Sequence, residues 1–131
     1  MNWRHAPIYM EAGALLLVVA PGLRWLGLPR TQALLDQWMQ APARPASPRL
    51  VGRAIDRVGR RIPRGSGCLP QALVAQAMLV RRGLPATVHL GVGVPGRDFE
   101  AHAWTESVDG VVVGGERQRE VTPIHRWHRA P

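Results

Sequence analysis

Apolar and polar positions divide the chain into helical segments followed by a strand-like part. Pro7–Val19 is a nearly continuous apolar body with proline early in it, which predicts a first helix broken by Pro21-Gly22. A second helix is predicted over Thr31–Gln40, with Thr31 as N-cap and Leu34, Leu35, Trp38 and Met39 sharing a face. Ala41–Pro48 is proline-rich and reads as an extended connector, the best candidate for a hinge. In Pro48–Arg61, a third helix, Leu50, Val51, Ala54, Ile55 and Val58 point inward, and Arg49, Arg53, Arg57, Arg60 and Arg61 form a basic stripe opposite.

The clearest helix is Cys68–Arg82. Pro70 lies in its first turn, and Leu69, Leu73, Val74, Ala77 and Val80 line one face. Arg81 and Arg82 suit the negative end of the dipole, and Gly83 supplies the C-cap. From Ala86 the period switches to two: Val88, Leu90, Val92 and Val94 alternate with Thr87, His89, Gly91 and Gly93, a strand with one buried face. Pro95–Asp98 reads as a turn, Phe99–Val108 as a second strand, Asp109-Gly110 as a hairpin turn, and Val111–Val113 as the start of a third strand. The tail from Arg117 is polar and reads as irregular, with Trp127 docking back. Helices followed by an antiparallel sheet define an α+β class. Residues 1–47 form an N-terminal helical region with its connector, and 48–131 form the core.

Composition narrows the function. A chain of 131 residues allows one domain, and 46% apolar residues exclude wholesale disorder. All 17 basic residues are Arg, against nine acidic ones, for a net charge of +8. The absence of Lys looks like codon bias, yet the field still attracts acidic partners. The Arg stripe is therefore either a solvated face or a dock for an acidic peptide or partner protein. Nucleic acid is not expected as a partner, because no helix-turn-helix spacing, aromatic RNA-binding motif or zinc finger is present. A lone cysteine, Cys68, excludes an internal disulfide and a thiolate-rich zinc site, and no cofactor is expected. The apolar run Ala12–Leu23 falls short of the roughly 20 residues a bilayer span needs, and Glu11 abuts it. A cytoplasmic protein with at most peripheral membrane contact is the expectation.

Cys68 opens the strongest helix directly after Gly65-Ser66-Gly67. First-turn N–H groups there have no intrahelical partner, and the dipole's positive end favours an anion, a thiolate or the oxyanion of a tetrahedral intermediate. Glycines in the approach leave room for a carbonyl to come close. A buried structural cysteine is the alternative. A thiol nucleophile needs a base, and histidine is the usual one. His5, His125 and His128 read as surface residues, and His89 as solvent-facing or capping. His102 in Ala101-His102-Ala103-Trp104 is the better base, with small neighbours and Trp104 on its face to shield it. For a third, orienting group, Glu106 is about 13 Å along the same strand, too far. Asp109 reads as turn chemistry. Glu116 reaches the His102 face only with a longer turn or a bulge. Glu116 is the residue chosen for this role, with a backbone carbonyl or water as the alternatives.

The combination of Gly67-Cys68-Leu69-Pro70-Gln71-Ala72-Leu73, Leu79–Ala86 and Ala101-His102-Ala103-Trp104 resembles the lasso peptide biosynthesis B2 proteins, over roughly residues 50–116. These are small transglutaminase-like cysteine proteases with a papain-like core. The resemblance implies removal of the leader peptide from a lasso peptide precursor, with Cys68 as nucleophile and His102 as base. The family usually has Asp shortly after the hairpin that follows the histidine; here Gly114-Gly115-Glu116 stands there, and Glu116 is the nearest carboxylate. Some members fuse this protease to a precursor-recognition domain. This chain looks like the split form, which implies a separate leader-recognition protein and the lasso cyclase as partners. The apolar first helices, with Leu16, Leu17 and Trp25, and the Arg stripe are the expected contacts. A transglutaminase-like acyltransferase and a non-enzymatic basic peptide-binding module are the rival readings.

Overall fold

The computed structural model describes residues 3–62, 67–93, 101–108, 110–114 and 121–131. A 3-10 turn over Trp3–His5 leads into α1 (Ala6–Trp25), which runs straight through Pro21. Proline at 21 removes only the donor to the Leu17 carbonyl, and both residues are exposed, where water can serve that oxygen. The break falls instead at Gly27, whose φ of 83° suits glycine, while the Leu26 and Gly27 amides donate to the Gly22 carbonyl. Continuation past Pro21 gives Trp3–Trp25 the length and apolar composition to cross a membrane, with a mean hydropathy of 1.6. One face of it nonetheless packs inside the fold through Ala12, Leu15, Leu16 and Val19.

Helix α2 (Leu28–Gln40) starts three residues before the expected position, from Gly27. Thr31 is therefore inside the helix rather than at its cap. Its buried hydroxyl donates back to the Gly27 carbonyl at 2.9 Å, one turn earlier. The connector reaches α3 (Pro48–Gly59) at Ser47, whose Oγ accepts from the Leu50 amide at 3.1 Å. As the pattern predicts, Val51, Ala54 and Ile55 are buried and the Arg stripe is exposed. The connector is less free than a hinge, because Arg81 donates to the carbonyls of Ala41 and Pro42, both at 2.9 Å.

Helix α4 (Cys68–Arg81) is the centre of the fold. Its pattern predicts one buried face, but every residue from Ala72 to Val80 is buried, because α1, α2 and α3 and the sheet all pack against it. The sheet comprises β1 (Ala86–Gly93), β2 (Ala101–Ser107), β3 (Gly110–Val113) and β4 (Val121–Arg129), antiparallel in the order β3-β2-β1-β4. Gly110 pairs with Ser107 and so belongs to β3 rather than to the hairpin turn, and a register shift follows at Thr105/Glu106. The Pro95–Asp98 turn and Phe99 lie outside the described residues, as does Asp109.

The tail is where the sequence expectation fails. Residues 121–129 are a full strand on β1, at the sheet edge. Most of its side chains are exposed, which erases the alternation that marks a half-buried strand, and Pro123 argues against one. Proline is accommodated because the strand is at an edge and faces a register shift at Leu90/Gly91. Gln76, buried in α4, holds the strand by donating to the carbonyls of Ala86 (3.2 Å) and Trp127 (2.8 Å). Arg129 pairs with Asp36 of α2 at 2.9 Å, and the Thr87 hydroxyl bonds His128 at 2.8 Å.

At the C-terminal end of α4, Glu11 of α1 accepts from Arg81 and Arg82, the latter at 2.8 Å. The Glu11 side chain is only 7% exposed, and Arg82 is 5% exposed. Removing one member of such a buried group strands the others without a partner. Glu11→Ala should lower the unfolding free energy by about 3 kcal/mol, read from urea denaturation. A change near zero would mean that this ion group does not hold α1 on α4.

Candidate active site

Gly67 begins α4 in an extended conformation, and no side chain among the described residues caps the helix. Cys68 is the first helical residue, its thiol half-buried. The Sγ atom lies 3.9 Å from the carbonyl oxygen of Ala101, the residue before His102, so the first turn of α4 meets the start of β2. Farther along, the Thr105 hydroxyl donates to the Ala72 carbonyl at 2.7 Å and fixes the same helix on the same strand. One cleft of about 570 Å³ is lined by Cys68, Gln71 and His102, with Arg53, Asp56 and Arg60 of α3 and Val111–Gly114 forming its other walls.

His102 is held on both sides. Its Nε2 is 2.7 Å from the Gly114 carbonyl oxygen. A carbonyl can only accept, so the proton sits on Nε2 and the Nδ1 lone pair is left to act as a base. The Trp104 ring, only 2% exposed, lies beside the imidazole with centroids 6.2 Å apart and planes 23° apart. This is the shielding expected from the sequence. Trp104 also stacks on His89 at 5.2 Å and 12°, so His89 is packed rather than open to solvent. Glu106 lies 3.7 Å from His89, on the neighbouring strand.

Gly114 has no freedom to be another residue. Its φ is 80°, and a Cβ there would stand 2.6 Å from the Ala103 carbonyl oxygen. Gly52 of α3 is similar: a Cβ would stand 2.5 Å from the Val112 carbonyl oxygen, so α3 lies directly on β3 and closes the cleft. An isolated glycine inside an amphipathic helix is the signal that marks such an approach in the sequence.

The structure thus brings Cys68 and His102 to one cleft. Glu116 lies outside the described residues. Among the described residues the group bonded to His102 is the Gly114 carbonyl, the kind of group the sequence reading keeps only as an alternative to Glu116. His125 and His128 are on β4, the first edge-on to Trp127 at 4.6 Å and the second bonded to Thr87. Neither lines the cleft. Arg53, Asp56, Arg60 and Gln71 are cleft residues that sequence reasoning did not place there.

A thiol at the start of a buried helix, with an oriented imidazole in the same cleft of an α+β domain, is equipped for thiol-based acyl chemistry. The family comparison agrees. The model of the transglutaminase-like superfamily matches residues 14–126, and the chain belongs to that superfamily. Its members include cysteine proteases and acyltransferases, usually with Cys, His and Asp in the site. The match begins within α1 and ends within β4, so it spans the helical region as well as the sheet. No match was found among curated proteins or solved structures.

The Gly114 contact gives a direct test. Gly114→Ala must shift the carbonyl that orients His102, and small displacements of a reacting group cost up to about 10²-fold. It should slow iodoacetamide labelling of Cys68 by roughly tenfold or more. Gly83→Ala, with φ also 80° but open space around it, should leave labelling unchanged. Equal labelling rates in both variants would show that the Gly114 carbonyl does not govern His102.

Proposed function

We propose that this protein is a cysteine peptidase that removes the leader from a lasso peptide precursor in the cytoplasm, acting with a separate leader-recognition protein. What carries the reading is the shared cleft, with Cys68 at the first turn of α4 and His102 oriented through Nε2. The resemblance of the segments around Cys68 and His102 to lasso leader peptidases supplies the substrate. In this reaction the Cys68 thiolate attacks the carbonyl carbon of the scissile bond. The oxyanion forms near the uncapped first turn of α4. His102, protonated when it activates the thiol, returns the proton to the leaving amine, and the leader remains as a thioester on Cys68. Water, activated by the same imidazole, then releases the leader as a free acid.

The recognition protein is proposed to dock on the outer face of α1. Leu17 and Trp25 are 62% and 79% exposed and suit that role. Leu16, expected in the same contact, is fully buried against the core and cannot take part. Arg49, Arg53, Arg57 and Arg60 remain exposed along α3, where charge can steer an acidic partner. The lasso cyclase is proposed to take over the released core peptide.

Cys68→Ala and His102→Ala should each abolish cleavage of a precursor while the circular dichroism spectrum is kept. Mass spectrometry of the wild-type products should show a leader acid and a core amine. An amide adduct to an added amine would instead indicate acyl transfer. Glu116→Gln should slow cleavage by roughly 10²-fold if Glu116 assists His102. Little change would leave the Gly114 carbonyl as the orienting group. Retained cleavage in either of the first two variants contradicts the proposal.

A further inference from the structure

Of the basic residues on α3, two reach the cleft that holds Cys68 and His102, and they differ. Arg60 is neutralised by Asp56 one turn earlier, at 2.9 Å. Arg53 makes no ion pair among the described residues, and Asp56 is the sole acidic residue described on the cleft wall. Among the described residues the cleft therefore carries one uncompensated positive charge, set between α3 and the apolar edge formed by Val111–Val113. Arg57, on the same helix and equally exposed, does not line it.

We infer that the cleft selects a peptide bearing a carboxylate side chain, Asp or Glu, beside the bond that is attacked, and that Arg53 is the specificity-determining residue. The inference rests on the proposal that Cys68 is the nucleophile. A carboxylate entering the cleft meets the Arg53 guanidinium without having to displace a partner among the described residues. A lysine or arginine side chain at the same place meets a like charge. The guanidinium fork also suits a planar carboxylate, with two parallel N–H donors. Arg49 lies one turn earlier on α3, against the adjoining surface formed by Gly110–Val112, and extends the positive potential along the approach.

Because Cys68 is the chain's lone cysteine, its alkylation reads the cleft charge without a known precursor. Iodoacetate carries the carboxylate and iodoacetamide is its neutral counterpart. The rate ratio of the two, followed by intact-protein mass spectrometry, should fall about two- to fivefold in Arg53→Gln, the size an exposed ion pair supports. Arg53→Glu should lower it further. Arg57→Gln removes the same formal charge and should leave the ratio unchanged. Peptidyl chloromethyl ketones with Asp or Asn next to the reactive carbonyl should show the same pattern. An equal fall in Arg53→Gln and Arg57→Gln, or none in either, overturns the inference, since the field would then be general or absent at the cleft. Failure of the nucleophile proposal looks different: His102→Ala would leave both alkylation rates unchanged, while the Arg53 ratio would still be measurable.

Discussion

At the end of α4 far from Cys68, the Glu11 carboxylate sits between the guanidiniums of Arg81 and Arg82, and from that clamp the helix runs through nine buried residues to the cleft. A helix enclosed on every side cannot slide or tilt without opening voids around Leu73, Met78 and Leu79. Thr105 and Gln76, both buried, tie it to the sheet by hydrogen bonds. The position of Cys68 is thus set by the packing of the whole domain. Rigid support of this kind is what thiol chemistry requires, because the imidazole and the thiol must meet within a few tenths of an ångström.

The same constraint explains the role of the N-terminal helices. By sequence they stand apart from the core at the proline-rich connector, yet α1 and α2 both pack on α4, and Arg81 reaches back to hold the connector's first carbonyls. The superfamily match, which begins inside α1, follows this packing rather than the connector. On the opposite side, α3 presses Gly52 onto the Val112 carbonyl and so sets the width of the cleft. Among the described residues charge enters at that wall, where Arg53 stands free of partners and Asp56 and Arg60 satisfy each other.

Much of this was legible in the residues. The four helices and three of the strands follow from period and capping, and Cys68 and His102, singled out by sequence, line one cleft. What escaped has physical causes. Pro21 reads as a helix breaker, but an exposed proline removes one bond that water replaces. Thr31 has the chemistry of a cap, yet Gly27 provides the positive φ that sets the actual boundary. The residues of β4 lack alternation because an edge strand exposed over most of its length leaves no face to bury. Glu11 with Arg81 and Arg82 is a long-range ion group spanning 70 residues of sequence, which no local window detects. The carbonyl of Gly114 is also invisible to side-chain reasoning, although it is the group bonded to His102.

The central claim is that the thiol of Cys68 becomes acylated with help from His102, whatever peptide it serves. The most direct test is rapid mixing with p-nitrophenyl acetate, which needs no precursor. The account predicts a burst of nitrophenolate of about one equivalent per chain, with an acetyl group on Cys68 by mass spectrometry. Both signals should be lost in Cys68→Ala and strongly slowed in His102→Ala. Acetylation of Cys68 at the same rate in His102→Ala would contradict it.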